Sequence, residues 1–257
     1  MVWNDPTNRQ GLVQDMEDIC GLGATGITSN TTLFQQFSRW ANLWQKQVIR
    51  WILSGEDGFD FDDANNTTYP SGTFTGTTNR DYAFDPTLKL LKLKKVGMTY
   101  DGTNYVQAKP IDTNDPDFWQ VTADPNIDQL FSTATPRYDA IAAGINIYPK
   151  FTQAQVNAGA KVYVEYFRDA KTDFATSGTD SVEPGFDSAF HNVISKGASF
   201  EYAKLYKPSI VNDLKNEIHG IRTRYANIPG LKDDIIEFYS FRVPQAKRIR
   251  PTYRNPR

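Results

Sequence analysis

Cysteine occurs once, at Cys20, so no disulfide can form within the chain and the fold must rest on its core. Cys20 falls on an amphipathic stretch, where a thiol acts as a small buried hydrophobe. Histidine occurs twice, and neither His191 nor His219 has a partner at metal-ligand spacing. No run approaches the ~20 apolar residues of a membrane helix, so no membrane span is expected. Residues 1–6 have neither the basic start nor the apolar centre of a secretory signal. Walker loops, G-x-S-x-G elbows and Cys/His constellations are missing. "GLGATG" at 21–26 follows a helical pattern rather than a strand, which fails the context of a dinucleotide fingerprint. Asp57, Asp60, Asp62 and Asp63 lack the spacing and closing glutamate of an EF-hand. Glu165 and Asp169 lie on and just after a strand, in position to line a cleft, but surface carboxylates are common and a catalytic pair has no fixed spacing in sequence. No enzyme activity, cofactor or metal is expected.

What is present is aromatic: 13% of the 257 residues are Phe, Trp or Tyr. A chain of this length buries roughly three quarters of its unfolded surface, enough for a core without cross-links. The net charge of −2 argues against bulk affinity for nucleic acid, but the charge is unevenly placed. Arg242, Lys247, Arg248, Arg250, Arg254 and Arg257 stand at the end with no acid among them. Removing those six charges leaves −8 on the rest, an acidic body with a basic tail.

The spacing predicts four helices. Asp5-Pro6 is a favourable start for one over 6–20, with Leu12, Met16, Ile19 and Cys20 on one face and Gly21 and Gly23 at its end. A second, over 31–54, carries a stripe of Leu33, Phe37, Trp40, Trp44, Val48, Trp51 and Ile52. A third, over 186–206, presents Phe186, Phe190, Val193, Ile194, Gly197 and Phe200, expected as core. The fourth, over 208–226, follows Pro208 with Ile210, Val211, Leu214, Ile218 and Ile221 on one face. Residues 231–243 fit strand or helix, and 115–131 fit short helical turns. Between the second and third helices the period changes to two. Residues 82–100 and 105–111 read as a hairpin closed near Asp101-Gly102. Arg137–Ile141 and Ile145–Tyr148 form a second, turned at Ala143-Gly144. Val162, Val164 and Tyr166 alternate along a further strand. Lys89, Lys92, Lys94 and Lys95 give the first hairpin a charged, solvated face. The polar stretch 55–79 is expected to contact another subunit or component rather than this chain's own core. The proline-rich end, 244–257, is expected to be extended.

The order of these pieces resembles the head-to-tail adaptors of tailed bacteriophages, the tail accessory family that docks under the portal ring. The matching residues are Pro136, Tyr138, Ile145, Ile147, Tyr148 and Pro149 in the second hairpin. Val164 and Tyr166 follow in the next strand, then Gly197, Ala198 and Tyr202 in the helix after an acidic-polar loop. "YAFDPTLKLLKLKKVGMTYDGTNYVQAKPID" resembles the family's earlier hairpin, and the likeness covers most of 1–226. It implies an α+β adaptor domain over 1–243: a helical bundle plus two β-hairpins in a β-rich part over 80–168. Residues 244–257 would be an extended basic tail. The resemblance implies a structural virion protein, made in the host cytoplasm and placed at the head–tail junction. It would form a ring, by family a dodecamer, that seals the DNA exit channel and gives the tail its platform. Its partners would be the portal, tail or nozzle and other neck proteins, with packaged DNA a further contact. Arg242, Lys247, Arg248, Arg250, Tyr253, Arg254 and Arg257 would be the partner-binding residues. The alternative is a carbohydrate- or surface-binding module that uses aromatic platforms.

Overall fold

A computed structural model describes residues 1–54, 70–111, 127–141, 143–170, 173–176, 181–223 and 226–240. The chain divides into two compact units, one from residues 68–169 and one from the residues before and after them.

The discontinuous unit is helical. α1 (Leu12–Cys20) and α2 (Thr31–Ser54) precede the sheet unit, and α4 (Asn192–Tyr206), α5 (Val211–His219) and α6 (Leu231–Ser240) follow it. α1 begins at Leu12, not at Pro6: the Asp5 carboxylate accepts the Asn8 backbone N–H and caps a turn instead. Gly21, at φ 56°, ends α1 in the left-handed conformation that glycine adopts at least cost. α2 has the expected bounds. Its buried face holds Phe37, Ala41, Trp44, Val48, Trp51 and Ile52, and Leu33 and Trp40 sit half-buried at its margin. The third predicted helix begins later than expected. Asp187 caps a single 3-10 turn, Ser188–Phe190, and the α-helix starts at Asn192. Val193, Ile194, Ala198 and Tyr202 are buried on it, whereas Phe200, expected in the core, is half-buried with its ring edge-on to Trp44. The fourth helix stops at His219 because Gly220 turns the chain at φ 74°. Ile221 therefore leaves the helical stripe and joins a two-residue ladder, β8 (Ile221–Arg222) with β9 (Asn227–Ile228). Residues 231–240 resolve the strand-or-helix ambiguity as helix. Burying Val, Leu, Ile and Phe side chains in this core contributes about 1.5–3 kcal/mol each.

The other unit overturns the expected fold class. It is not a pair of hairpins beside a helical bundle but one seven-stranded mixed sheet, in the order β1-β7-β3-β4-β5-β6-β2. The strands are β1 (Ser71–Thr75), β2 (Asp81–Ala83), β3 (Leu90–Thr99), β4 (Tyr105–Pro110), β5 (Arg137–Ile141), β6 (Gly144–Tyr148) and β7 (Lys161–Arg168). A five-residue helix, α3 (Gln153–Asn157), closed by a Thr152/Gln155 capping box, precedes β7. Both predicted hairpins exist, as β3-β4 and β5-β6. Local periodicity did not reveal that β4 and β5 pair in parallel, or that β7 lies between β1 and β3. Pairings of long sequence separation leave no mark in a short window. β7 alternates as its sequence requires, with Val162, Val164 and Tyr166 buried. They join Val96, Met98, Ile145, Ile147 and Phe151 in a core that belongs to this unit.

β1 also corrects the reading of 55–79. Ser71–Thr75 pairs along β7, from Ser71 opposite Glu165 to Thr75 opposite Lys161, and Phe74 packs on the sheet core. That part of the polar stretch belongs to the chain's own fold, because alternate Thr and Phe residues supply a strand face that composition alone conceals. Residues 55–69, with the aspartates of the rejected calcium motif, lie outside the described residues.

Candidate functional site

The sheet has a built-in divergence. β4 pairs with β3 from Tyr105 opposite Thr99 to Ala108 opposite Val96. One residue further it changes partner: the Lys109 N–H donates to the Pro136 carbonyl (3.0 Å) and the Ile111 N–H to the Tyr138 carbonyl (2.8 Å). Pro110 has no N–H to return to β3. Between the first half of β3 and the second half of β5 the sheet therefore opens into a groove of about 500 Å³. Leu90, Leu91, Leu93, Ile111, Tyr138 and Ile141 are among its lining residues, with Lys92 and Asp139 as its charged members. Leu91 and Ile141 each keep 43% of their surface exposed. Burial raises the pKa of the Tyr138 hydroxyl above the ordinary tyrosine value.

The far end of β6 is pinned. The Arg80 guanidinium pairs with Asp128 at 3.1 Å and lies over the Tyr148 ring at 4.6 Å, while Asp128 also accepts the Lys150 N–H at 2.9 Å. The β3-β4 turn is closed by the Asp101 carboxylate, which accepts the Thr103 and Asn104 N–H groups and the Thr99 hydroxyl. Those bonds, led by the Asn104 N–H, hold its pKa well below the usual carboxylate range.

The carboxylates singled out in sequence do not assemble. Glu165 stands in a central strand opposite Ser71 and Lys95 and accepts the Tyr163 hydroxyl at 3.3 Å. Asp169 follows β7, its N–H donating to the Lys89 carbonyl. Among the described residues, no group of three or more His, Cys, Asp or Glu side chains is placed to hold a metal ion. No helix among the described residues is long and apolar enough to cross a membrane. Arg242, Lys247, Arg248, Arg250, Tyr253, Arg254 and Arg257 all lie outside the described residues. The groove was missed in sequence. Its signals were the proline ending β4 and the run Leu90-Leu91-Lys92-Leu93, which breaks strand alternation where the register against β7 slips.

Both histidines are in the helical unit. His191 is buried, with Nε2 2.9 Å from the Phe186 carbonyl and Nδ1 2.7 Å from the Met1 amino group. The arrangement suits a neutral ring, Nε2–H donating and Nδ1 accepting. Desolvation lowers its pKa. Desolvation also lowers that of His219, assisted by Lys232 and Lys215, where its ring meets Trp44 and Trp51. Both folded-state values lie below the unfolded one, so protonation favours unfolding. The stabilisation is complete above about pH 6.5 and is lost as pH falls through the folded values. We expect the melting temperature to fall between pH 7.5 and 5.5. Thermal melts of a His191→Gln, His219→Phe double variant should show a flatter profile over that interval; an equally steep one would assign the slope to other groups.

A scan against protein-family models finds no match, and a search of curated proteins finds none.

Proposed function

We propose that the chain is a structural head-to-tail adaptor of a tailed-phage virion, a ring subunit without turnover that binds the portal on one side and tail or neck proteins on the other. The observation that carries this reading is the ordered set of matching residues and the positions they take. Tyr138, Ile145, Ile147 and Tyr148 lie on β5 and β6, Val164 and Tyr166 are buried on β7, and Gly197, Ala198 and Tyr202 are buried on α4. A second support is electrostatic: the last residues carry six positive charges, while the rest of the chain carries −8. Ring subunits meet head to tail through heterologous surfaces, and a basic arm on an acidic body suits such contacts.

In this reading the ring, by family likeness a dodecamer, closes the DNA exit channel, and the arm attaches it. Extended at ~3.3 Å per residue, the end from Arg242 to Arg257 would reach roughly 50 Å, enough to cross onto a neighbour. Arg248, Arg250 and Arg254 would pair with partner carboxylates, and Tyr253 would anchor between them. The test is truncation before Pro244. The shortened chain should keep its melting curve yet fail to co-sediment with the portal ring of the same virus. Mass measurements of the full chain, alone and with portal, should show the ring on the portal. Normal co-sedimentation of the truncated chain would remove the arm from the mechanism. Absence of any portal complex for the full chain would remove the adaptor reading itself. A steep loss of arm-dependent binding to duplex DNA with salt would assign the arm to DNA instead.

A further inference from the structure

We propose that copies of this chain meet head to tail, the outer face of α2 in one copy against the outer face of α6 in the next. This contact rests on the adaptor reading only for its closure into a ring, and it names the faces through which the ring's subunits meet. α2 holds Arg39, Lys46 and Arg50 along its 24 residues and no acid. With Leu43 they recur at steps of three and four, so they form one stripe, roughly 16 Å long at the helical rise. Arg39, Leu43 and Arg50 are exposed, Lys46 is half-buried, and Leu43 keeps 55% of its surface open. Among the described residues, none of the three cations has a hydrogen bond or an ion pair. Elsewhere in the same unit Arg9, Lys196, Lys204 and Arg222 each hold a carboxylate.

α6 carries the complement. Ile235 and Tyr239 bury its inner face, and Asp234 and Glu237 are exposed on the other. Neither acid has an ion pair among the described residues, whereas their neighbour Asp233 is held by Arg222. Phe238 lies beside them; its ring meets Phe190, yet 37% of its surface stays open. The one cation of this helix, Lys232, lies over the Trp51 ring and so leaves the outer face acidic. Set antiparallel, the two faces match: Asp234 opposite Arg50, Glu237 opposite Lys46 and Phe238 opposite Leu43. Exposed ion pairs contribute little by themselves. The leucine and phenylalanine supply the apolar centre, and the charges set partner and orientation. The leucine inside the stripe also favours a protein over nucleic acid, because phosphates would leave it in water. Since the two faces differ, every copy keeps one of each to offer, the heterologous contact that builds rings or filaments.

Sedimentation of the full chain without portal should show association that grows with protein concentration and weakens with salt. Lys46→Glu with Arg50→Glu should weaken it about tenfold or more, and so should Asp234→Lys with Glu237→Lys, each leaving the circular dichroism spectrum unchanged. An equimolar mixture of these two double variants should associate again, because each then offers the other an opposite charge on both faces. A merely structural effect of the substitutions would not be rescued by mixing. Carbodiimide coupling of the unaltered chain, mixed from nitrogen-15-labelled and unlabelled copies, keeps the proposal testable if a variant fails to fold. It should join Lys46 of one copy to Glu237 or Asp234 of another. A chain that stays monomeric at every concentration, association that ignores both double variants, or couplings that avoid these residues would overturn the proposal. So would duplex DNA binding that Lys46→Glu with Arg50→Glu abolishes while self-association persists, since the stripe would then serve DNA. A monomeric chain that still co-sediments with portal removes this contact and leaves the adaptor reading standing. A chain that associates through these faces but binds no portal keeps the contact and loses that reading.

Discussion

Gly197→Leu is expected to abolish cooperative folding of the helical unit, and Gly197→Ala to cost about 2 kcal/mol despite a better helix former at the site. A Cβ on Gly197 would lie 2.1 Å from Cδ2 of Trp44, 2.5 Å from Cγ and 2.6 Å from Cε3. The indole has little room to withdraw. Its ring centroid lies 5.9 Å from that of Trp51, 6.4 Å from Phe200 and 6.2 Å from His219, and the side chain is almost wholly buried. Glycine in a helix interior costs about 1 kcal/mol relative to alanine, so alanine begins with that advantage. Overpacking a filled core costs typically about 1–3 kcal/mol and sometimes more, and here the clash is with three ring atoms at once. Net destabilisation should win. Denaturant melts of Gly197→Ala, Trp44→Leu and the double variant form the check. The double variant should be more stable than the sum of the single losses predicts, because losing the ring removes the clash of the added methyl, and that methyl fills part of the space the ring leaves. An unchanged midpoint for Gly197→Ala would mean that the ring is not held there.

That glycine shows how far sequence carried. Its place on the apolar face of the third helix was legible from three- and four-residue spacing, and so was Trp44 on the stripe of the second. That the two meet was not, since spacing says which face is apolar but not what covers it. The same limit explains the sheet. Val162, Val164 and Tyr166 declared their shared face, and Asp101-Gly102 declared a turn. The parallel pairing of Lys109 and Pro110 with Arg137 and Tyr138 depends on chain segments that no window spans. The groove is a consequence of that pairing, so it was illegible for the same reason. Helix ends failed where one residue decided them: Gly220, at φ 74°, stopped a stripe that Ile221 seemed to continue. The conspicuous basic end, chosen from its charge, its prolines and Tyr253, lies outside the described residues, and its assignment rests on the proposal above.

Glu17→Gln should be a costly exchange for so small a change, at about 1–3 kcal/mol for each buried N–H donor left without an acceptor. Glu17 was not singled out in sequence, because an acid near the end of an amphipathic helix reads as solvated surface. It is fully buried. One carboxylate oxygen accepts the N–H groups of Ile27 (3.1 Å) and Thr28 (3.4 Å), and the other accepts that of Thr25 (3.2 Å) and meets Arg9 at 3.4 Å. The glycine-rich run after α1, whose context ruled out a nucleotide loop, is thus wrapped around an anion supplied by the chain itself. Thr25 takes φ 66° within it, a conformation costly for a β-branched residue and held in place by these bonds. Glutamine keeps the size but replaces one acceptor with an NH2 group facing donors, so the loop loses partners without gaining space. Arg9→Ala provides the contrast. Arg9 is more than a third exposed and solvent screens its pair, so its loss should cost under about 1 kcal/mol. Urea melts of both variants decide which group holds the loop. Equal losses would make the ion pair the main support, whereas a loss several-fold larger for Glu17→Gln assigns it to the backbone donors. A stable Glu17→Gln variant would show that the loop folds without its anion.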